Sequence, residues 1–296
     1  DELINALESK SGEFASVVKM GRTQLQDAVP MTLGQEFGAW ATSLRQELAG
    51  LGRTRAELMT FNIGGTAIGT RLNAPKSYPA HAIQRLREIT GLPVVLAKDL
   101  IEATQDTQSF GMFASSLKSL AVKLSKICSD LRLLSSGPRA GLGEIQLPSR
   151  QPGSSIMPGK VNPVIPEVVN QVAYRVIGND LAVTLAAEAG QLQLNVMEPV
   201  IAASVLESLK ILSNAVVTLR RNCIEGIVAN VEQCCTFVNN SVGLVTALVP
   251  VIGYQLATEV AAEALASGKS LADVLRARDL YTDEIAEALL PERMAN

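Results

Sequence analysis

Histidine is nearly absent from this chain: His81 is the only one in 296 residues. A site built from several histidine metal ligands is thereby excluded, and a Ser-His-Asp triad would have to rest on that one residue. His81 lies in Ser77-Tyr78-Pro79-Ala80-His81, at an expected helix start, and reads as a surface position. The chemistry is expected to run without histidine and without a metal. Cysteine is scarce as well. Cys128, Cys223, Cys234 and Cys235 form no Cys-x-x-Cys pair and fall in helix-like patterns, which points to reduced core thiols rather than disulfides or zinc ligands. An excess of one charge is lacking too, with 26 basic against 29 acidic residues and a net charge of −3. No basic block interleaves with aromatics, so nucleic acid is not an expected partner. Long apolar runs are missing: Val242 to Ile252 is broken by Gly243, Thr246 and Pro250, too short to span a bilayer. With no signal peptide at its start, the chain is expected to be soluble and cytoplasmic, with no membrane partner. Low-complexity segments and internal repeats are absent.

What is there is a helical period. A hydrophobic content of 47% is ample for a buried core, and most of the chain is rich in Ala, Leu, Glu, Lys and Gln with little β-branched alternation. Helices are expected over Asp1–Val18, Thr32–Phe61, Asp99–Ser135, Ile165–Ala189 and Val200–Ile227. A helix of about 30 residues runs on the order of 45 Å, a length that suits a bundle. The reading is all-α: a central helical-bundle domain over residues 1–232 and a small C-terminal helical domain over 233–296. The latter holds shorter helices, one of them started by the Ser270–Asp273 capping pattern. Breakers mark the loops Gly21–Pro30, Gly64–Pro79, Gly91–Pro93 and Ser136–Pro163.

The last of these loops contains Gly153-Ser154-Ser155-Ile156-Met157-Pro158-Gly159-Lys160-Val161-Asn162-Pro163. Its glycines and prolines keep it out of helix and let backbone N–H groups turn toward a ligand. Lys160 and Asn162 alternate so that an ammonium and a carboxamide can meet one carboxylate. The stretch resembles the signature loop Gly-Ser-Ser-x-x-Pro-x-Lys-x-Asn of the fumarase/aspartase superfamily. Gly21-Arg22-Thr23-Gln24-Leu25-Gln26-Asp27-Ala28 resembles a second signature region of that family, and Ser136–Ile145 a third segment, to which a scaffold role is assigned. Gly64–Asn73 resembles a fourth, with Arg71 where the family has glycine. Should that position have a positive φ, Arg71 imposes strain of about 1 kcal/mol or more.

Eliminating ammonia or water from a dicarboxylate requires taking a weakly acidic proton beside a carboxylate, and stabilising the resulting double charge is the main task. Lys160, Asn162 and the N–H groups of Ile156 and Met157 suit it. The resemblance implies Ser154 as the catalytic base, activated by nearby positive charge and loop closure, with Ser155 structural; residue chemistry alone does not rank the two. It further implies that Thr23 and Gln24 contact the substrate. Fumarases have histidine where this chain has Gln24, so Glu167, whose family counterpart pairs with that histidine, is left to orient Gln24 by accepting its amide hydrogens or to sit at a helix start.

Flanking segments favour the aspartase side of the family: Gln24, Asp99–Thr104, Glu167–Val172 and Ala187–Pro199. The resemblance therefore implies a carbon–nitrogen lyase that interconverts L-aspartate with fumarate and ammonia by anti-elimination, needing no cofactor. It also implies a homotetramer with active sites shared between subunits. Fumarate hydratase is the close alternative, and a catalytically inactive bundle serving as a scaffold is a different class. Relatives carry an N-terminal domain ahead of Asp1, so the chain is expected to be a fragment lacking it, ending short of the usual family terminus.

Overall fold

The computed structural model describes residues 1–151, 153, 156, 157 and 159–295, leaving aside the side chain of Glu292. In chain order the elements are α1 (Glu2–Glu13), β1 (Val18–Thr23), β2 (Gln26–Thr32), α2 (Leu33–Glu57), β3 (Thr60–Phe61), α3 (Tyr78–Thr90), β4 (Val95–Leu96), α4 (Glu102–Gln105), α5 (Gln108–Leu134), β5 (Ile145–Gln146), α6 (Val164–Glu188), α7 (Glu198–Asn222), β6 (Val228–Ala229) and α8 (Val231–Asn240), followed by α9 (Val249–Ile252), α10 (Tyr254–Ser267), α11 (Leu271–Ala277), α12 (Asp283–Ala288) and α13 (Pro291–Met294). Among the described residues the fold is all-α apart from three two-stranded ladders. The chain divides into two compact units: residues 1–42, 130–163 and 220–296 form one, and residues 43–129 and 164–219 the other.

In the second unit the long helices bury one seam each. On α6 it is Val169, Ala173, Val176, Val183 and Ala186, and on α7 Ile201, Val205, Leu212 and Ala215, at the three- and four-residue spacing of a helix face. Polar groups inside these seams are paired. Asn170 donates to the carbonyl of Ser125 at 2.9 Å and Asn179 to the hydroxyl of Ser208 at 3.1 Å. The Asp180 carboxylate receives Lys118 at 2.6 Å and the Ser115 hydroxyl at 3.0 Å. These bonds fix which faces meet, since an unpaired polar group there would cost about 1–3 kcal/mol.

Several expectations need correction: the helix expected over Asp1–Val18 stops at Glu13, with Val18 opening β1, and the one over Thr32–Phe61 stops at Glu57, with Thr60–Phe61 forming β3. The helix expected over Asp99–Ser135 is two helices, because Asp99 Oδ1 accepts from the N–H groups of Ile101 and Glu102, while Asp106 Oδ1 accepts from Gln108. Each aspartate turns the backbone just ahead of a separate helix start by accepting N–H groups two or three residues on. The reading that apolar stretches are too short for a bilayer also fails: residues 198–226 have the length and, with a mean hydropathy of 1.6, the apolarity to cross one, as does the bent pair 231–240 and 242–252. In α7 the seam interrupted by buried Ser204 and Ser208, with Glu207 paired to Arg175 at 2.9 Å, is the pattern of a bundle helix.

In the first unit a cluster of Val238, Leu244, Leu248, Val260, Leu271, Val274, Leu275 and Ile285 closes around Met20 of β1. The C-terminal helices are short and individually capped. Ser270 accepts from the Asp273 N–H at 3.1 Å, as its capping pattern implies, and Asn230 and Thr282 do the same for α8 and α12. His81 is exposed. Cys128, Cys223 and Cys234 are buried and outside any disulfide, whereas Cys235, expected in a core, is exposed.

Candidate active site

The segment Gly21–Pro30, expected as a loop, is most of an antiparallel hairpin. Val18 faces Thr32, Lys19 faces Met31 and Met20 faces Pro30; the register then shifts, so that Arg22 faces Asp27 and Thr23 faces Gln26. Gly21 sits at the shift, where a Cβ would meet the Val29 carbonyl oxygen at 2.8 Å. The turn is Gln24-Leu25, with φ of 53° and 61°, the two-residue primed turn that asks for Asn-Gly. Left-handed geometry at two non-glycine residues costs about 1–2 kcal/mol each. Such strain persists only where the surroundings over-determine it. Thr23, Gln24 and Leu25 are all exposed at this tip.

The surroundings are a buried group of charges. Glu144 has no exposed surface, and its Oε1 accepts from Arg22 Nη1 at 2.8 Å. Lys19, buried as well, pairs with Glu36 at 2.7 Å. Its ammonium is also ion-paired with Glu144 Oε2 at 3.2 Å, although that oxygen accepts no hydrogen bond. Arg22 also lies over the Phe237 ring at 5.2 Å. Two cations and two carboxylates thus cancel inside the unit, which burial requires. The Glu144 backbone is held in turn: its carbonyl accepts from Asn230 N–H at 2.9 Å and from the Cys234 thiol at 3.7 Å. Burial, with the Glu144 charge adding to it, pushes the Cys234 thiol up to about 12.

On β2, Asp27 Oδ2 accepts from the Ser241 hydroxyl at 2.7 Å, and that hydroxyl accepts from Gly243 N–H at 3.0 Å. A Cβ on Gly243 would lie 2.4 Å from the Ala28 carbonyl oxygen, so only glycine permits this approach.

The signature loop is in the same unit. Arg150 anchors its approach by donating to the carbonyls of Asn222 at 2.9 Å and Arg221 at 3.2 Å. Gly153 runs so close to Lys160 that a Cβ would stand 2.0 Å from the Lys160 carbonyl oxygen, and Lys160 N–H donates to the Met157 carbonyl at 3.2 Å. Gly159 has φ 82°. Lys160, Ile156 and Met157 are exposed and Asn162 is half-buried. Ser154 and Ser155 lie outside the described residues. Among the described residues no hydrogen bond or ion pair joins the hairpin tip to Lys160 or Asn162. Glu167 belongs to the other unit, half-buried in the first turn of α6. Also in that unit, Arg71 has φ 62°, as do its neighbours Thr66 at 59° and Asn73 at 64°, so the strained geometry conditionally expected at Arg71 is present.

Two surface clefts were found within the separate units, of about 400 Å³ beside Glu2, Lys10 and Arg220 and about 540 Å³ beside Gln108, Ser115 and Glu188. Neither is lined by an expected site residue. Among the described residues no group of three His, Cys, Asp or Glu could hold a metal ion. Sequence reasoning passed over Lys19, Glu36 and Ser241 and gave Glu144 only a scaffold role. The available signal was charge, Lys19 and Arg22 flanking Met20-Gly21 where an alternating strand would be apolar.

A helix-rich chain whose glycine–serine loop offers an ammonium and a carboxamide is a lyase of the fumarase/aspartase kind. The chain belongs to the lyase family whose model matches residues 1–178, and a second model, the fumarase C C-terminus, matches residues 244–296. Among curated relatives, aspartate ammonia-lyase of Pseudomonas aeruginosa is 60% identical over 296 residues, 99% of this chain and 62% of the relative. The Escherichia coli K12 aspartate ammonia-lyase is 56% identical over 283 residues, 96% of this chain and 59% of the relative. The chain thus spans about three fifths of the length of these relatives. Among solved structures, a fumarate lyase:delta crystallin from Brucella melitensis bound to cobalt superposes with a TM-score of 0.96 at 55% identity, covering 100% of this chain and 64% of that one. A class II fumarase from Schistosoma mansoni gives 0.94 at 33% identity, covering 99% and 65%.

Proposed function

We propose that the chain is the catalytic core of an aspartate ammonia-lyase, which eliminates ammonia from L-aspartate to give fumarate, reversibly and in anti geometry. The observation that carries this reading is the 60% identity to the Pseudomonas aeruginosa enzyme across a span that includes both the Gly21–Pro30 and Gly153–Pro163 segments. Ser154 takes the proton beside one carboxylate. Lys160 and Asn162 hold that carboxylate as it gains charge, with the N–H groups of Ile156 and Met157 as further donors, since preorganised donors aimed at developing charge lower the barrier most. Thr23 and Gln24 grip the substrate from the exposed hairpin tip, while Ser155 and Glu167 support these groups.

A homotetramer with shared active sites is part of the proposal. It is supported by a stripe on α6, where Tyr174, Ile177, Leu181 and Leu185 are exposed at three- and four-residue spacing, an apolar face that a further copy would cover. Residues 1–232 are proposed as the central domain and 233–296 as the C-terminal one, a division supported by the second family model. The protein is proposed to be soluble and to work in the cytoplasm, where free cysteines keep their thiol form.

The test is ultraviolet absorbance of fumarate's conjugated double bond on the full-length polypeptide, given L-aspartate and, separately, L-malate. Fumarate from aspartate alone is expected. Fumarate from malate alone would make it a hydratase, and no product from a well-folded oligomer would leave a scaffold.

A further inference from the structure

The hairpin tip is pinned at one rung. Arg22 and Asp27 face each other across the ladder, and only Thr23 and Gln26 lie between them and the turn. Each member of that rung is gripped by a side chain from a distant part of the unit, Arg22 by Glu144 Oε1 at 2.8 Å and Asp27 by the Ser241 hydroxyl at 2.7 Å. Glu144 comes from 122 positions away and Ser241 from 214. The turn just beyond this rung holds Gln24 and Leu25 in left-handed geometry with φ of 53° and 61°. Neither residue supplies the conformational freedom such a turn asks for, so the geometry must be imposed from outside.

We infer that Glu144 is a positioning residue for the substrate-contacting turn, acting through Arg22, with Ser241 as its counterpart on β2. The inference rests on the reading that Thr23 and Gln24 meet the substrate. Three features support it. Glu144 is wholly buried and cannot reach a substrate itself. Its second carboxylate oxygen is left without a hydrogen bond, although the Lys19 ammonium is 3.2 Å away. The Lys19 ammonium thus balances charge, while the hydrogen bond that orients this carboxylate is the one from Arg22. Its backbone is itself fixed by Asn230 and Cys234, so the anchor is rigid at both ends. The charge of Glu144 thereby sets where the Thr23 hydroxyl and the Gln24 amide stand, and so how firmly a dicarboxylate is held.

The variant is Glu144→Gln in the full-length polypeptide, which keeps the shape and one acceptor but removes the charge. Two quantities are read: the KM and kcat for L-aspartate, and the Kd for succinate, a dicarboxylate with nothing to eliminate, by titration calorimetry. KM and Kd should each rise about tenfold with kcat changed less than about threefold, the pattern of lost binding common to ground and transition states. Ser241→Ala should move the same two constants by about threefold, and the double variant should fall short of the product of the two, since both act on one rung. Unchanged KM and Kd in folded Glu144→Gln protein, or a fall in kcat alone, overturns the inference. If Glu144→Gln does not fold, Ser241→Ala decides, with unchanged constants overturning it. A wild-type protein inactive on L-aspartate would reject the proposed reaction instead, while the succinate constants would still decide the role of Glu144.

Discussion

The hairpin of β1 and β2 and the Gly153–Pro163 loop both carry residues proposed to hold a dicarboxylate, but they are built differently. The hairpin is held by side chains: a buried carboxylate on Arg22, a hydroxyl on Asp27, a packed cluster around Met20. In the described residues of the loop the close fit is one of backbone, with Gly153 against the Lys160 carbonyl and Gly159 in a positive-φ conformation. A side-chain clamp can be loosened from far away without touching the tip. A backbone approach is sensitive to the addition of a single carbon atom within the loop itself.

The largest effect that would sharpen this contrast is expected from Ser154→Ala, with kcat falling roughly 10²–10⁴-fold and KM nearly unchanged. Steady-state rates on L-aspartate check it, and a loss under tenfold would remove Ser154 as the base. Lys160→Ala should lower kcat/KM by about 10²–10³-fold, chiefly through weaker dicarboxylate binding; unchanged kinetics would take Lys160 out of the site. Gly153→Ala should cost about tenfold or more in kcat/KM while the melting temperature holds, because its Cβ would stand 2.0 Å from the Lys160 carbonyl oxygen. Were that variant fully active, the loop would not depend on backbone approach and the contrast would collapse.

At the hairpin the corresponding change has the opposite sign. Leu25→Gly should stabilise the protein by about 1 kcal/mol, since the residue is 68% exposed and its φ is 61°; a lower melting temperature would show that the turn is not strained. The smallest effect concerns thiols. Burial pushes Cys223 and Cys234 up to about 12 from 9.0. Brief alkylation near pH 8, read by mass spectrometry, should therefore modify Cys235 and spare both of these. With the folded value raised, the folded state keeps these protons that the unfolded chain gives up. Stability is full below pH 9 and declines as pH climbs from 9 towards 12. A flat stability profile over that interval would contradict their burial.

The long helices were legible because α6 and α7 repeat apolar residues at three- and four-residue intervals, a signal carried entirely within each segment. The hairpin was not. Its turn, Gln24-Leu25, has neither the asparagine nor the glycine that announces a primed turn, and Lys19 and Arg22 interrupt the apolar alternation of β1. Both cations make sense only once Glu144, 122 positions beyond Arg22, is folded against them. The helix break at Asp106 was hidden for a related reason: an aspartate inside a helical pattern reads as a solvated charge until its carboxylate is seen accepting from the Gln108 N–H. The glycine–serine loop stands at the other extreme, conspicuous as a string of residues, with its two serines outside the described structure.

The packing of Met20 against the C-terminal helices also bears on how the protein is made. The hairpin ends at Thr32, yet the Asp27–Ser241 bond spans 214 positions. At about 5–20 residues per second, a ribosome needs roughly 10–40 s to deliver the partner after the strand has emerged. For that interval β1 and β2 exist without their clamp or their core, exposing a strand edge and a buried-type lysine to solvent. The hairpin is therefore among the last parts to mature, and the nascent chain is most open to chaperones and to mispairing during this wait.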